Sequence, residues 1–491
     1  MTTPSSIISS FETLRGLTMN WCNLPGSVVS AIGNLMNLQS LEMLCCTTFG
    51  SILSSLSNLT NMVSIRINGC DGLPVPMHAA IGNLTNLQTM EINCDCTPGG
   101  HTSETVPYTI GQLNKLTLLV LDECCYSGSI PNSIANLTQL TKLYLSNNAF
   151  NGPIPNTLFQ LTSLKRLDLR SNNLIGLVDL GSFRRLRNIE ILHLSNNKLS
   201  VIDAEGNSPL PSAYWSGPNV LGLASCNITQ FPISLTRSKY ITYLDLSCNK
   251  INGDIPKQMW EACSSSIIYL NLSHNMFTGI GLTSHVLPLT ATPDILDLSF
   301  NRLQGLIPMP KSSASLLDYS NNRFSSVHPN WASHLSQTSY LSMSNNNIKG
   351  YIPLSICNSS LGILVLSHNN FSGPIPSCLT ENKQLSVLNL RDNHFKGMLS
   401  FNITSGCSLQ TIDLHDDTNG VNKYDEFFPS LQIMDLASNN FSGNLRPQWM
   451  ERLKSMMEKF NSFGVGFAAA IVVKWGRVGR CPVKDSGSRC S

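Results

Sequence analysis

Charged residues are scarce in this sequence. Asp, Glu, Lys and Arg together make up 13% of its 491 residues, and the formal net charge is +2. A net charge this small creates no basic surface field, so the composition gives no indication of nucleic-acid binding. Ser, Asn and Gly take the surface places that charges would otherwise hold, which is more common in secreted repeat proteins than in cytosolic ones.

Catalytic and metal-binding motifs are also missing. The sequence contains no G-x-S-x-G, no H-E-x-x-H and no G-x-x-x-x-G-K-S/T, and its ten histidines are scattered. The cysteine pairs around residues 94–96 and 124–125 lack a second C-x-x-C or a histidine partner, so they do not predict a zinc site. A G-x-G-x-x-A match beginning at Gly464 has no strand–helix–strand context, so it does not predict a dinucleotide site. We predict a protein that is not an enzyme and has no cofactor.

A full-length membrane helix is not apparent near the C-terminus. The apolar residues 463–473 would form a helix only about 16 Å long, whereas the hydrocarbon core of a bilayer is roughly 30 Å thick. A basic tail, residues 474–491, follows in the manner of a cytoplasmic flank, and residues 445–462 have the pattern of an amphipathic helix. We predict that residues 463–473 are a partial transmembrane segment and that membrane association is doubtful in this form.

What the sequence does contain is a unit of about 24 residues, clearest in residues 361–376, LGILVLSHNNFSGPIP. Leu364 and Leu366 alternate with Val365 as in a half-buried strand. Asn369 can bond the backbone of its own turn and of the next one, and a Gly-Pro pair then turns the chain back. The unit recurs 18 times, starting at Leu14, Leu38, Met62, Leu87, Leu116, Leu140, Leu164, Ile189, Pro218, Ile241, Ile267, Pro293, Ala314, Thr338, Leu361, Leu385, Leu409 and Leu431.

This pattern, L-x-x-L-x-L-x-x-N-x-L with a G-x-I-P tail, is the signature of a leucine-rich repeat. We predict an α/β solenoid, a leucine-rich-repeat superhelix with a parallel β-sheet on its concave face. The predicted organisation is a non-repeat lead at residues 1–13 and a solenoid of about 18 repeats at residues 14–444, irregular at 410–430. The segments 445–462, 463–473 and 474–491 follow.

The N-terminus has neither a signal peptide nor a cap. Residues 1–11 are polar and contain no apolar core after a basic start. The first repeat begins without a cysteine-bearing cap, although a solenoid end needs a polar cover over its last apolar layer. We interpret the sequence as lacking its true N-terminus. The alternative is a cytosolic protein that never had one.

Two groups of cysteines have different interpretations. Cys22, Cys46, Cys70 and Cys124 stand at the asparagine position of their repeats, where a small side chain tolerates burial, so we predict buried free thiols. Cys357 and Cys378 lie nearly one repeat apart on the outward arc of adjacent coils. Their backbones are therefore about 5 Å apart, which predicts a disulfide.

Glycosylation sequons are frequent. Although N-L-T and N-F-S belong to the repeat consensus itself, their number predicts a secreted glycoprotein. A loop at residues 203–218 also carries Tyr214 and Trp215, which either contact a partner or cover a gap between coils. The predicted glycosylation sites are Asn58, Asn83, Asn136, Asn227, Asn271, Asn358, Asn370, Asn402 and Asn440.

Several stretches resemble plant receptor-like proteins of the Cf and Verticillium-wilt-resistance type. They are I-C-N at 356–358 with I-P-S-C-L at 375–379, FPSLQIMDLASNNFSGNL at 428–445, the RPQWMERLKSMM stretch after it, and the GVGFAAAIVVKWGR tail. The resemblance covers residues 14–480. It implies a receptor without a kinase, at the plasma membrane or outside the cell, acting in defence or development. It also implies a peptide or protein ligand and a kinase-bearing co-receptor as partners.

The sequence departs from that family in lacking a signal peptide, both caps and some repeats, which indicates a truncated or internally deleted member. One alternative is a secreted inhibitor of a cell-wall-degrading enzyme, similar to polygalacturonase-inhibiting proteins, which have about ten repeats and no membrane tail. Another is an inactive or decoy product. The 18 units and the apolar tail favour the receptor.

The ligand is expected on the concave face, where the variable positions of the repeat point outward. Late repeats carry a monotonous D-L-S there, whereas repeats three to eight combine charges with an aromatic residue. Such a mixture suits a peptide or protein ligand, although an ordinary solvated sheet is the alternative for any single residue. The predicted binding residues are Arg66, Glu91, Asp122, Glu123, Tyr144, Lys165, Arg166, Asp168, Arg170 and His193.

Overall fold

The computed structural model describes residues 11–48, 52–69, 76–94, 104–204 and 217–397, except for positions 239, 283, 285, 292, 312, 313 and 383. It also describes the strands Thr411–Asp413, Ile433–Asp435 and Asn440–Phe441. The chain divides into two compact units, Met1–Ile251 and Asn252–Ser491. Most of the loop with Tyr214 and Trp215, Cys70, Asn402 and the segments predicted after residue 444 lie outside the described residues.

A parallel main sheet runs through the first unit, with one strand in each coil. Equivalent residues lie opposite one another, so Leu41 is paired with Ile65 and Leu167 with Leu192. Apolar and polar residues alternate, and the inward leucines are fully buried against the coils on either side. The strands are Gly16–Asn20, Ser40–Leu44, Ser64–Asn68, Thr89–Asn93, Leu118–Asp122, Lys142–Tyr144, Arg166–Asp168, Ile191–His193, Val220–Gly222 and Tyr243–Asp245.

The second unit repeats this arrangement. Leu296 lies opposite Leu317, and Leu341 lies opposite Leu364. Its main-sheet strands are Tyr269–Asn271, Ile295–Asp297, Leu316–Asp318, Tyr340–Ser342, Ile363–Val365, Val387–Asn389, Thr411–Asp413 and Ile433–Asp435. The predicted solenoid fold with a parallel sheet is therefore confirmed.

A second ladder of short parallel strands follows the main strand in many coils, and the G-x-I-P tail explains its geometry. Gly152 has φ +72°, in the left-handed region that favours glycine. In the first unit the ladder strands are Asn23–Leu24, Thr47–Thr48, Ser127–Ser129, Ala149–Gly152, Asn173–Asp179 and Lys198–Ile202. In the second unit they are Asn252–Asp254, Met276–Gly279, Gln304–Leu306, Arg323–Ser326, Lys349–Gly350, Asn370–Gly373, His394–Gly397 and Asn440–Phe441. Val286–Leu287 and Met309–Pro310 follow them in two coils and pair in a separate two-stranded sheet.

Short helical turns complete the coils, and a proline precedes many of them. Pro155 is extended, with φ −65° and ψ 131°, and its missing N–H is not needed at a helix start. The α-helices are Gly26–Ile32, Ile52–Leu56, Lys257–Cys263 and Cys378–Glu381. The 3₁₀ helices are Ala79–Asn83, Tyr108–Gln112, Asn132–Asn136, Asn156–Gln160, Leu180–Arg185, Ile233–Arg237, Trp331–His334 and Leu354–Asn358. None of the helices in the described part of the chain is long and apolar enough to cross a membrane.

Buried asparagines connect the coils. The Asn369 amide nitrogen donates to the carbonyl of Leu366 in its own coil (3.2 Å) and of Met343 in the preceding coil (2.8 Å), and its oxygen accepts from the Ile348 N–H at 3.0 Å. We expected Asn369 to bond the next coil, but its bonds outside its own coil run to the preceding one. Equivalent bonds are made by Asn148, Asn172, Asn197, Asn249, Asn301, Asn322, Asn346 and Asn393.

The prediction of a free thiol at Cys124 is wrong. Cys124 forms a disulfide with Cys94 of the preceding coil, and their Cα atoms are 4.7 Å apart. The repeat consensus could not reveal this bond, because Cys94 lies beside the asparagine position and only the stacking of the coils brings it to Cys124. Cys46 is a free, buried thiol as predicted, whereas Cys22 is free but only partly buried, so the prediction of burial is wrong at Cys22. Cys357 and Cys378 are disulfide-bonded, with Cα atoms 5.7 Å apart.

Candidate ligand-binding face

Two rows of outward-facing residues cross the main sheet of each unit and form what we call the sheet face. The first row contains the first residue of each three-residue strand, and the second row contains the third residue. Parallel pairing places equivalent positions of adjacent coils opposite one another, about 4.8 Å apart. Six of the ten predicted binding residues lie in or in register with these rows, namely Arg66, Glu91, Tyr144, Arg166, Asp168 and His193.

Arg66 is engaged within the protein. Its guanidinium lies 2.9 Å from the Glu91 carboxylate and 3.3 Å from the carboxylate of Glu42, and the three residues are in register on adjacent strands. Hydrogen bonds to both carboxylates raise the pKa of Arg66 further above its usual value. Sequence reasoning missed Glu42, and this acid completes a charge cluster whose groups are already paired.

A second cluster lies three coils further along, around Tyr144, Asp168 and His193, which are in register. Hydrogen bonding with Tyr144 raises the pKa of the Arg166 guanidinium. Asp168 is buried, and its carboxylate lies 3.3 Å from Arg170. Burial raises the pKa of Asp168, and the Arg170 charge opposes that increase. Arg166 and Arg170 are thus the arginines of this cluster, and Lys142 lies opposite Arg166 on the adjacent strand.

The position of the His193 ring depends on Gly222, which the sequence pattern did not single out. A Cβ at Gly222 would collide with the His193 ring, so the missing side chain makes room for the ring. The ring packs edge-on against Tyr243, with centroids 5.8 Å apart. Burial, aided by the Arg170 charge, lowers the pKa of His193 to about 4. The imidazole is therefore neutral at pH 7 and serves as a packed polar surface.

The remaining predicted residues flank the rows. The Asp122 carboxylate accepts from the backbone N–H and the hydroxyl of Ser146, so it links two coils. Glu123 accepts from the Asn147 side chain at 3.2 Å, and Lys165 lies 3.9 Å from Glu190. The ten residues therefore fall into separate groups along the sheet face. No group of three or more metal-ligating side chains is present among the residues that the structure describes.

The second unit has an apolar row that the sequence analysis missed. Six consecutive coils place a half-exposed apolar or tyrosine side chain in the first row. The fold does not require this, because four coils of the first unit carry Gly16, Ser40, Ser64 and Thr89 at the same position. The row can be seen in the sequence, because its residues stand two positions after the first leucine-type position of each repeat. The apolar row is Tyr269, Ile295, Leu316, Tyr340, Ile363 and Val387.

The second row beside it is mostly acidic and polar, with Val365 as an apolar member. Asp297 and Asp318 lie directly opposite one another. Burial and the neighbouring Asp297 charge raise the pKa of Asp318 above its usual range, although hydrogen bonds from Ser320 oppose this. No lysine or arginine stands in either row between the strands that begin at Tyr269 and Val387. This part of the sheet face therefore combines apolar area with carboxylates.

An aromatic pair borders the same face. The His274 and Phe300 rings are stacked at 4.1 Å with an interplanar angle of 9°. Phe300 has φ +52°, a conformation that bulky side chains rarely adopt. The residue at the same position is also left-handed in other coils, for example Asn147, Asn321 and His368, so this conformation belongs to the repeat.

Comparison with known proteins gives the class first. Models described as "Leucine rich repeat" match residues 162–212, and models described as "Leucine Rich Repeat" match residues 139–161, 240–261, 337–359 and 360–382. Together with the parallel sheet and the asparagine bonds, these matches agree with a leucine-rich-repeat solenoid fold.

Part of the chain is similar in sequence to plant receptor-like proteins. It is 33% identical over 181 residues to Receptor-like protein 54 of Arabidopsis thaliana, a match that covers 37% of this chain and 21% of the relative. It is 31% identical over 176 residues to Receptor-like protein 7 of the same plant, covering 36% and 17%. The chain thus matches about a fifth of the length of these relatives.

Solved structures agree on the fold. The Arabidopsis receptor kinase HAESA, solved with the peptide hormone IDA and the co-receptor SERK1, superposes with a TM-score of 0.67 at 23% identity. That match covers 91% of this chain and 82% of HAESA. PEPR1–AtPEP1 gives a TM-score of 0.65 at 23% identity and covers 92% and 65%. At this identity the likeness shows the fold alone.

Proposed function

We propose that this chain is the ligand-binding part of a plant cell-surface receptor without a kinase domain, and that it binds a peptide or protein on the sheet face. The observation that carries the proposal is the apolar row of the second unit, because neither the repeat consensus nor the fold requires it. Contiguous exposed apolar area is typical of interaction sites. We further propose a role in defence or developmental signalling, which is what the sequence resemblance to plant receptor-like proteins implies.

The dimensions of the apolar row favour an extended segment. Six strands spaced about 4.8 Å apart give a row about 24 Å long, the length of about seven residues in extended conformation. Apolar ligand side chains would contact Leu316 and Tyr340, while a cationic group would lie near Asp318. Charge complementarity of this kind favours specificity over affinity.

The cluster around Arg166 in the first unit supplies the opposite charge. Arg166 and Arg170 present guanidinium groups that recognise carboxylates in a planar, bidentate manner. We propose that this cluster binds acidic groups of a ligand. The Arg66 cluster is a weaker candidate, because Glu42 and Glu91 already pair with its cation.

An extracellular location is part of the proposal. Asn58 and Asn83 are exposed and line one surface depression of about 580 Å³. Asn136, Asn227, Asn358 and Asn370 are also exposed and open to glycosylation. Asn271 is the exception, because it is buried and its oxygen accepts from the N–H and hydroxyl of Ser273. We therefore omit Asn271 from the proposed glycosylation sites.

A kinase-bearing co-receptor is the proposed partner. The HAESA structure contains the co-receptor SERK1 together with a peptide hormone. A receptor of the proposed kind has no kinase of its own, so its signal would have to pass through such a partner. Purified co-receptor ectodomain would be expected to bind this chain only after peptide has been added.

The charged cluster can be tested with a phage-displayed library of random linear peptides, selected on the secreted, purified chain. We expect Arg166→Glu combined with Arg170→Gln to weaken binding of selected acidic peptides about tenfold or more. Arg170 is not reversed, because a second carboxylate beside buried Asp168 would destabilise the fold. The matched control is Arg187→Glu with Lys198→Gln, which makes the same charge change at exposed positions off the main sheet. Equal binding by the two variants would contradict the proposal.

The apolar row has its own pair of variants. Leu316→Ser removes a half-exposed leucine from the row, and Leu306→Ser removes an exposed leucine from the second ladder of the same unit. We expect only Leu316→Ser to reduce binding of selected apolar peptides. The inhibitor alternative would be favoured instead if the library yielded no binders and the chain inhibited a polygalacturonase.

A further inference from the structure

Cys124 shows how adjacent coils place two sulfur atoms together. Its Sγ lies 3.2 Å from the Asp122 carbonyl oxygen in its own coil and 3.6 Å from the Ile92 carbonyl oxygen in the preceding coil. The preceding coil supplies Cys94, and the two cysteines are joined. A cysteine in this position can therefore reach a cysteine in the coil before it, in this case one that lies beside the asparagine position.

Cys226 occupies the same position without such a neighbour. Its Sγ lies 3.5 Å from both the Ala224 carbonyl oxygen in its own coil and the Leu194 carbonyl oxygen in the preceding coil. The preceding coil carries Asn197 at the asparagine position, and Cys226 is a free, buried thiol. The position itself thus accommodates a thiol, and the residue in the preceding coil determines whether a disulfide can form.

Cys46 is the third cysteine in this position, and its neighbour is Cys22. The Cys46 Sγ lies 3.6 Å from the Leu44 carbonyl oxygen and 3.3 Å from the Met19 carbonyl oxygen in the preceding coil. The Cys22 Sγ lies 3.2 Å from the carbonyl oxygen of Asn20. The two sulfur atoms therefore contact the carbonyls of consecutive residues.

The backbone places Cys22 and Cys46 opposite one another. The short strands that follow them pair Asn23 with Thr47 and Leu24 with Thr48. Opposite residues of parallel strands are about 4.8 Å apart, inside the Cα separation of roughly 4.4 to 6.8 Å that a disulfide allows. Both residues are free thiols, although the adjacent Cys45 is already disulfide-bonded.

We propose that Cys22 and Cys46 are a redox-active thiol pair, which a small-molecule disulfide such as oxidised glutathione converts to a disulfide between two adjacent coils. The Cys22 thiolate attacks a sulfur of oxidised glutathione and releases one glutathione thiolate. The Cys46 thiolate then attacks the Cys22 sulfur of the mixed disulfide and releases the second. Two protein thiols are oxidised, one glutathione disulfide is reduced, and the two protons pass to glutathione.

The order of attack follows from exposure. Cys22 is half-exposed, whereas Cys46 is buried. Burial, together with the neighbouring Cys22 sulfur, raises the pKa of the Cys46 thiol, so Cys22 is the thiol that an oxidant meets first. Closure of the bond removes conformational freedom from the unfolded chain and should raise the melting temperature.

The experiment is disulfide mapping on the purified full chain. The chain is equilibrated with oxidised glutathione, denatured in the presence of an alkylating agent, digested and analysed by mass spectrometry. We expect a cross-linked peptide pair containing Cys22 and Cys46. Cys94–Cys124 is the positive control, and Cys226 and Cys263 should be alkylated in the same sample. Alkylation of both Cys22 and Cys46, or stable glutathione on Cys22, would overturn the proposal.

Cys22→Ser provides the second measurement, because this half-exposed site tolerates a hydroxyl. The wild-type chain should melt several degrees higher after glutathione oxidation than before it. The Cys22→Ser variant should show no such increase, whereas Cys226→Ser should keep it. An increase that persists in Cys22→Ser would assign the effect to another cysteine pair and refute the proposed one.

Discussion

At the level of single residues, the opposed carboxylates of Asp297 and Asp318 give the sheet face a property that depends on pH. Burial and the neighbouring charge raise the pKa of Asp318 in the folded chain. The folded state therefore holds a proton that the unfolded state releases near pH 4, so stability is lost as pH rises from that value through the folded pKa. A cationic ligand group beside Asp318 would oppose this increase in pKa, because it favours the charged carboxylate.

Asp318→Asn should therefore stabilise the protein at pH 7.5. The Asn oxygen can still accept from the Ser320 N–H, as Asn271 and Asn389 do at equivalent positions. We expect the melting temperature to rise by about 1–3 °C at pH 7.5, with the gain vanishing near pH 4. Asp294→Asn, at an exposed position just before the same sheet, is the control and should change little. A gain for Asp318→Asn that is equally large at pH 4 would contradict this assignment.

His193 should make the protein acid-sensitive. Its pKa is lowered to about 4 in the folded chain, whereas an unfolded histidine titrates near 6.5. The contribution to stability is complete above about pH 6.5 and is lost as pH falls towards 4, with a total on the order of 1–3 kcal/mol. His193→Gln should flatten the dependence of unfolding free energy on pH over this interval. A pH dependence that is the same in His193→Gln as in the wild-type chain would refute the assignment.

At the level of the repeat element, the asparagine bonds carry much of the cohesion between coils. Asn346 donates to the carbonyls of Tyr319 and Met343, and its oxygen accepts from the Phe324 N–H. An alanine would leave these buried backbone groups without partners, at a cost of about 1–3 kcal/mol for each unsatisfied group. Cysteine at this position keeps a weaker contact, as Cys46 and Cys226 do.

The matched test compares Asn346→Ala with Asn347→Ala in urea unfolding. Asn347 is the adjacent residue and is exposed, so its loss should cost less than about 0.5 kcal/mol. We expect Asn346→Ala to lower the unfolding free energy by about 3 kcal/mol or to unfold its coil before the rest. Similar curves for the two variants would mean that the interior bonds contribute little to stability.

At the level of the whole molecule, the arrangement of exposed sequons predicts a glycoprotein when the chain enters the secretory pathway. Expressed behind a signal peptide, the chain should lose mass when an endoglycosidase removes its glycans. Peptide mapping should find glycan at exposed sites such as Asn136 and Asn370, and should find Asn271 unmodified. An unchanged mass would argue against the extracellular assignment. Glycan at Asn271 would argue against the role of burial.

Much of the fold follows from periodicity. Leucines at fixed spacing alternate with polar residues, and a unit that cannot bury its apolar side alone must stack on copies of itself. That reasoning predicts the parallel sheet, the turn at each G-x-I-P tail and the coil-to-coil role of residues such as Asn369. It works because each coil contacts mainly its neighbours, so local pattern and tertiary contact carry nearly the same information.

The candidate sites follow less directly, because they depend on which residues of different coils meet. The repeat pattern shows that Arg66 and Arg166 point outward, but only the packed strands reveal that Glu42 and Glu91 pair with Arg66, whereas Arg166 contacts Tyr144. The same holds for Cys94 and Cys124, and for the glycine beneath His193. These contacts depend on the register between adjacent strands to within one residue. The repeat consensus does not specify that register, because it tolerates units of 21 to 29 residues.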